Sequence, residues 1–184
     1  MDSIATLYGP VTTEVIDRAA AIKLLVCDVD GVFSDGRIYL GNNGEELKAF
    51  HTRDGFGIKA LQHANIQVAV ITGRRSQIVQ QRMTALGVQH IIQGCEDKLT
   101  AFNELCQQLG LSAEACAYIG DDLVDLPVMQ QVNLAVAVHD AHPALLPQAH
   151  YRTYLNGGFG AVRELCDLLL QAQGKLQDAK GLSV

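Results

Sequence analysis

Short apolar runs that stop abruptly at a polar residue or glycine constrain this chain more than any other feature. Residues 22–27 stop at Asp28, 67–71 at Thr72-Gly73, 88–92 at Gln93-Gly94 and 116–119 at Gly120-Asp121, and 133–138 form a further run. A strand covered on one face alternates apolar and polar residues, whereas one covered on both faces reads as continuously apolar, as in parallel sheets. Helical patterns over 57–64, 76–86, 96–109 and 123–131 separate the runs, and a short amphipathic stretch at 11–20 precedes them. That alternation predicts βαβ units in a doubly wound α/β parallel sheet. Right-handed crossovers bring the strands' carboxyl ends to one edge, where open α/β sheets bind ligands. Asp28, Thr72 and Asp121 all fall there.

One segment interrupts the pattern. Residues 36–40 and 46–50 flank Gly41-Asn42-Asn43-Gly44, which predicts a β-hairpin within about 33–50. A lone hairpin is marginal in water. Ile38, Leu40, Leu47 and Phe50 therefore need a surface, either on the domain or on another subunit. No linker or repeat divides the chain, so residues 1–184 are expected to form a single domain, with a polar tail from about 174 to 184 that docks or stays disordered.

A net charge of −6 without a run of Lys or Arg argues against nucleic acid or an anionic membrane as partner. The five cysteines are dispersed and unpaired in sequence, which predicts reduced core thiols rather than a disulfide frame or zinc site. No stretch reaches the ~20 apolar residues of a membrane span, and no basic-then-apolar leader opens the chain. The expected location is the cytoplasm.

The chemistry gathers at the strand ends. In Asp28-Val29-Asp30-Gly31 the glycine lets the chain turn, so that two carboxylates approach one centre. Gly120-Asp121-Asp122-Leu123-Val124-Asp125 adds acid at the same edge, with Asp122 a candidate cap for the helix that follows. Clustered carboxylates raise one another's pKa and repel phosphate; Mg²⁺, a hard oxygen-seeking cation, relieves both problems. Lys98 offsets charge near the nucleophile, Thr72 offers a hydroxyl, and Arg74 and Arg75 suit bidentate contact with an anion. His139, His142 and His150 lack metal-ligand spacing and are expected to be structural or exposed.

The ordered set D-x-D, T-G-R, K and G-D-D-x-x-D resembles the four motifs of the haloacid dehalogenase superfamily of phosphohydrolases, whose sheet is Rossmannoid. The resemblance implies that Asp28 is the nucleophile and Asp30 the acid–base, with Thr72 and Lys98 stabilising the phosphoryl group. It implies Mg²⁺ held by Asp28, Asp30 (through its carbonyl) and Asp121, and it leaves Asp125 to position Lys98 or Asp121. The segment between Asp30 and Thr72 holds only the hairpin and one helix, which resembles the capless branch.

The strings 28–36, His51-Thr52-Arg53-Asp54-Gly55-Phe56-Gly57, 72–76 and 156–164 resemble the capless family acting on 3-deoxy-D-manno-octulosonate 8-phosphate in lipopolysaccharide synthesis. This implies a small phosphorylated sugar acid as substrate, contacted by Asp30, His51, Thr52, Arg53, Asp54, Gly55, Arg74, Arg82 and Lys98. Lys59 stands where arginine is expected in that family. The resemblance further implies a homotetramer whose hairpins associate and whose C-terminal region reaches a neighbouring site. Two other readings stay open: a phosphatase of a nine-carbon sugar-acid 9-phosphate, and a phosphate-binding regulatory module without turnover.

Overall fold

The computed structural model describes residues 2–181. A parallel six-stranded sheet has the order β10-β9-β8-β3-β6-β7. Its strands are β3 (Leu24–Cys27), β6 (Gln67–Thr72), β7 (His90–Gln93), β8 (Cys116–Gly120), β9 (Leu134–Ala137) and β10 (Tyr151–Arg152). The first two strands of the chain, β1 (Ser3–Ala5) and β2 (Pro10–Thr12), form a separate antiparallel pair, and β4 (Tyr39–Leu40) with β5 (Glu46–Leu47) forms the hairpin.

Every residue of β3, β8 and β9 is buried, as two-sided coverage requires. One helical layer comprises α1 (Thr13–Ala20), α2 (Thr52–His63) and α6 (Ala161–Ala172); α4 (Lys98–Leu109) and α5 (Leu126–Met129) pack together against β6, β8 and β9. The remaining helix, α3 (Gln77–Ala85), joins β6 to β7. Sheet growth runs from β3 through β6 to β7, then restarts on the other side of β3 with β8. The reversal lies between β3 and β8, where such sheets open a ligand crevice. Asp28 and Asp121 stand on its two sides.

Several boundaries differ from the sequence expectation. Helix α2 begins at Thr52 rather than at 57, because the His51 imidazole accepts from Arg53 N and starts the helix ahead of Gly55 and Gly57. The element expected over 123–131 is a 3₁₀ turn, Leu123–Asp125, followed by the short α5. Pro127 and the Asp122–Asp125 capping box divide it, with Asp122 acting as the expected cap.

The hairpin strands are only two residues long, and the apolar side chains do not bury on the domain as a set. Phe50 packs against the core, but Ile38, Leu40 (72% exposed) and Leu47 (65% exposed) face outward. The described part of the tail docks on α2: Lys175 Nζ donates to Ala64 O at 3.0 Å, and His63 Nδ1 lies 3.0 Å from Lys180 O. Residues 182–184 of the expected tail lie outside the described residues.

Candidate active site

Beyond β3 the backbone folds into a tight turn in which Val32, Phe33 and Ser34 N–H groups all converge on Val29 O at 2.9–3.2 Å. Val32 and Phe33 are buried and anchor the turn. Gly31 has φ +85°, and a Cβ there would stand 2.0 Å from Asp121 Oδ2, so only glycine lets the two acidic loops approach. The 156–160 segment closes the turn from outside. Gly158 N donates to Val32 O at 2.8 Å, and a Cβ on Gly157 would sit 1.7 Å from Gly31 O.

Lys98 opens α4 and is buried. Its ammonium lies 2.9 Å from Asp28 Oδ1 and 2.7 Å from Asp125 Oδ1. Burial works against the charge of Lys98, but Asp28 and Asp125 outweigh it and hold its pKa above the usual range. Asp125 is fully engaged: Oδ1 also accepts from Tyr118 Oη at 2.7 Å, and Oδ2 accepts from Asp121 N at 2.9 Å. It thus positions both Lys98 and the Asp121 backbone.

Asp28, Asp121 and Asp125 each offer an oxygen within 4.8 Å of the others. Since Asp125 is saturated by internal donors, the carboxylates of Asp28 and Asp121 are the ones free to hold a cation. Burial, with Asp125 beside it, pushes Asp28 up to about 6 against the pull of Lys98. Burial, with Asp28 next in effect, pushes Asp121 up to about 8. An all-oxygen donor set short of positive charge fits a hard divalent cation such as Mg²⁺.

The direction of these shifts gives a testable result. A carboxyl whose pKa is higher in the fold than in the open chain binds its proton more tightly when folded. Stability from this pair is therefore lost as pH climbs from about 4 through about 6 and about 8. A bound cation favours the ionised forms and reverses the penalty. Differential scanning fluorimetry should show Mg²⁺ raising Tm only slightly at pH 5.5, and by about 5–10 °C near pH 8.5 at saturation.

Asp28, Asp30, Thr72, Arg74, Lys98 and Asp121 line one cleft of about 450 Å³. A cleft of about 420 Å³ between Gln62 and His90 has no carboxylate on its walls, so volume does not mark the site; chemistry does. His51, Thr52, Arg53, Asp54, Gly55, Lys59 and Arg82 do not line this cleft of their own chain. Lys59 Nζ donates to Ala85 O at 3.2 Å, at the end of α3. Asp54 is 1% exposed; burial pushes it up to about 7, while Oδ1 accepts from Arg163 N at 2.8 Å and Arg82 acts on its charge. The three histidines are structural: His139 Nδ1 pairs with Thr153 O, and His142 and His150 accept from Ala144 N and Ala135 N.

Two residues were not anticipated from sequence. Tyr118 looks like strand filling but carries the hydroxyl that orients Asp125. Lys48 has a side chain only 1% exposed, with Nζ against Asp30 Oδ1. A period of two from Glu46 through Lys48 to the core-packed Phe50 was the available signal that this face turns inward.

A strand-end aspartate beside a buried lysine and a second acidic loop is the arrangement of the haloacid dehalogenase-like hydrolases, and that family matches residues 90–164. The chain is 60% identical over 181 residues to 3-deoxy-D-manno-octulosonate 8-phosphate phosphatase KdsC of Yersinia pestis, covering 98% of this chain and 97% of the relative. It therefore belongs to the 3-deoxy-D-manno-octulosonate 8-phosphate phosphatase family. The crystal structure of that phosphatase from Yersinia pestis superposes with a TM-score of 0.98 over 100% of this chain and 99% of the other. The Moraxella catarrhalis enzyme, in complex with magnesium ion, phosphate ion and KDO, is 43% identical with a TM-score of 0.89, covering 91% of this chain and 96% of that one.

Proposed function

We infer that this chain hydrolyses 3-deoxy-D-manno-octulosonate 8-phosphate to the free sugar acid and inorganic phosphate, in lipopolysaccharide synthesis. The observation that carries the reading is the Asp28–Lys98–Asp125 cluster facing Asp121 across the sheet's reversal point, in a chain 60% identical to a phosphatase of that name.

The Asp28 carboxylate attacks phosphorus; the bond to the sugar oxygen breaks as an aspartyl phosphate forms. Asp30 gives its proton to the departing sugar oxygen, then takes one from the water that releases phosphate and restores Asp28. Thr72 and Lys98 stabilise the transferring group. Asp28, the Asp30 carbonyl and Asp121 would hold Mg²⁺, which supplies positive charge to neutralise the phosphoryl oxygens. Arg74 contacts the anionic substrate at the mouth. His51, Thr52, Arg53, Lys59 and Arg82, away from their own cleft, serve the sugar acid in a neighbouring subunit's site, whereas Asp54 and Gly55, expected among the contacts, are buried and hold the first turn of α2 beneath them. The outward-facing Ile38, Leu40 and Leu47 support such a homotetramer, and a cytoplasmic location accords with a small soluble substrate.

Phosphate release across a panel of sugar phosphates tests the assignment. The eight-carbon sugar-acid phosphate is expected to give the highest kcat/KM, with activity lost in EDTA and restored by Mg²⁺. A preference for a nine-carbon 9-phosphate would replace the substrate, and no turnover of any ester would overturn the reading.

A further inference from the structure

Lys48 belongs to a hairpin whose neighbouring side chains face solvent, yet its own side chain is 1% exposed. Its ammonium contacts Asp30 Oδ1 and lies 3.3 Å from Glu46 Oε1. The same Glu46 oxygen accepts from Arg74 Nη2 at 3.3 Å, and Arg74 Nε lies 4.0 Å from Asp30 Oδ2. Asp30, Lys48, Glu46 and Arg74 thus alternate in charge around a closed ring. Each oxygen of Asp30 faces one cation, Lys48 from the hairpin and Arg74 from the loop after β6. Burying an ammonium is costly unless carboxylates compensate it. A hairpin that needed only an anchor on the domain would do better with an apolar side chain, as Phe50 provides against the core.

We propose that Lys48 is a positioning residue for the acid–base step, fixing the Asp30 carboxyl toward the leaving oxygen and making the hairpin part of the catalytic apparatus. This rests on the assignment of Asp30 to proton transfer made above. In the first half-reaction the sugar oxygen–phosphorus bond breaks, the Asp28 oxygen–phosphorus bond forms, and the Asp30 proton goes to the sugar oxygen. Poor alcohol leaving groups depend on that proton; p-nitrophenolate does not.

The experiment compares kcat/KM, which reports steps through phosphoryl transfer to Asp28, for wild type and Lys48→Met with Mg²⁺. Three substrates are used: the sugar-acid phosphate, phenyl phosphate and p-nitrophenyl phosphate. Lys48→Met is expected to lose about 10- to 100-fold on the first two and about 2-fold or less on the third. Lys48→Arg should recover most of the loss. Glu46→Gln, which removes the anchor shared by Lys48 and Arg74, should show the same ordering at smaller fold, and it serves if Lys48→Met melts early.

Equal losses on all three substrates, or no loss on phenyl phosphate, overturns the proposal. Loss confined to the sugar-acid phosphate also overturns it, because Lys48 would then recognise the substrate carboxylate. Wild type inert toward every sugar phosphate would instead overturn the functional reading on which the proposal stands.

Discussion

Asp28→Asn is expected to abolish phosphate release, by at least about 10⁴-fold in kcat, while leaving a folded protein. The amide keeps the shape of the side chain but is too weak a nucleophile to form the acyl phosphate. Lys98 retains Asp125 at 2.7 Å, so the ammonium is not orphaned. Removing a carboxylate that burial already pushes up to about 6 relieves repulsion with its acidic neighbours. The metal-free variant should therefore melt no lower than wild type at pH 8. Steady-state phosphate assays and a thermal melt on one preparation check both parts; near-wild-type turnover would exclude the covalent route.

Lys98→Met should damage both stability and activity. It leaves Asp28 and Asp125 buried without their cation, and removing one partner of a buried ion pair costs about 3–5 kcal/mol. For a chain of this size that lowers Tm by roughly 10 °C. Turnover should fall by about 10²–10³-fold, as when a preorganised donor to the developing charge is lost. Adding Asp125→Asn should recover part of the melting temperature without recovering turnover. A double-mutant cycle in which the two changes simply add would show that Lys98 and Asp125 do not act on each other.

What could be read in advance follows from how strongly each element's physics marks the sequence. The central strands were legible because two-sided burial leaves almost no polar residue between Leu24 and Cys27 or between Leu134 and Ala137. Asp28, Thr72 and Asp121 were legible because each stands where such a strand stops, and Lys98 because it opens the next helix. The β1–β2 pair and β10 are two or three residues long and lie at the periphery, where no apolar run forms. The first turn of α2 was hidden by Gly55, Gly57 and an unusual histidine cap. Lys48 was missed because a lysine on an exposed hairpin reads as solvated; only the fold brings its ammonium to Asp30.

The backbone-to-backbone seating of Gly157 and Gly158 on the turn after Asp28 also sets the order in which the cleft is completed during synthesis. Asp28, Asp30, Thr72, Lys98 and Asp121 have all been translated 37 residues before Gly158 joins the chain. At about 5–20 residues per second, that leaves a nascent chain for about 2–7 s with all five of these side chains made but no wall behind the turn. Helix α6, which packs on α1 and α2, follows still later. The turn that carries Asp28 and Asp30 is thus closed only by residues translated well after the acidic loops it braces.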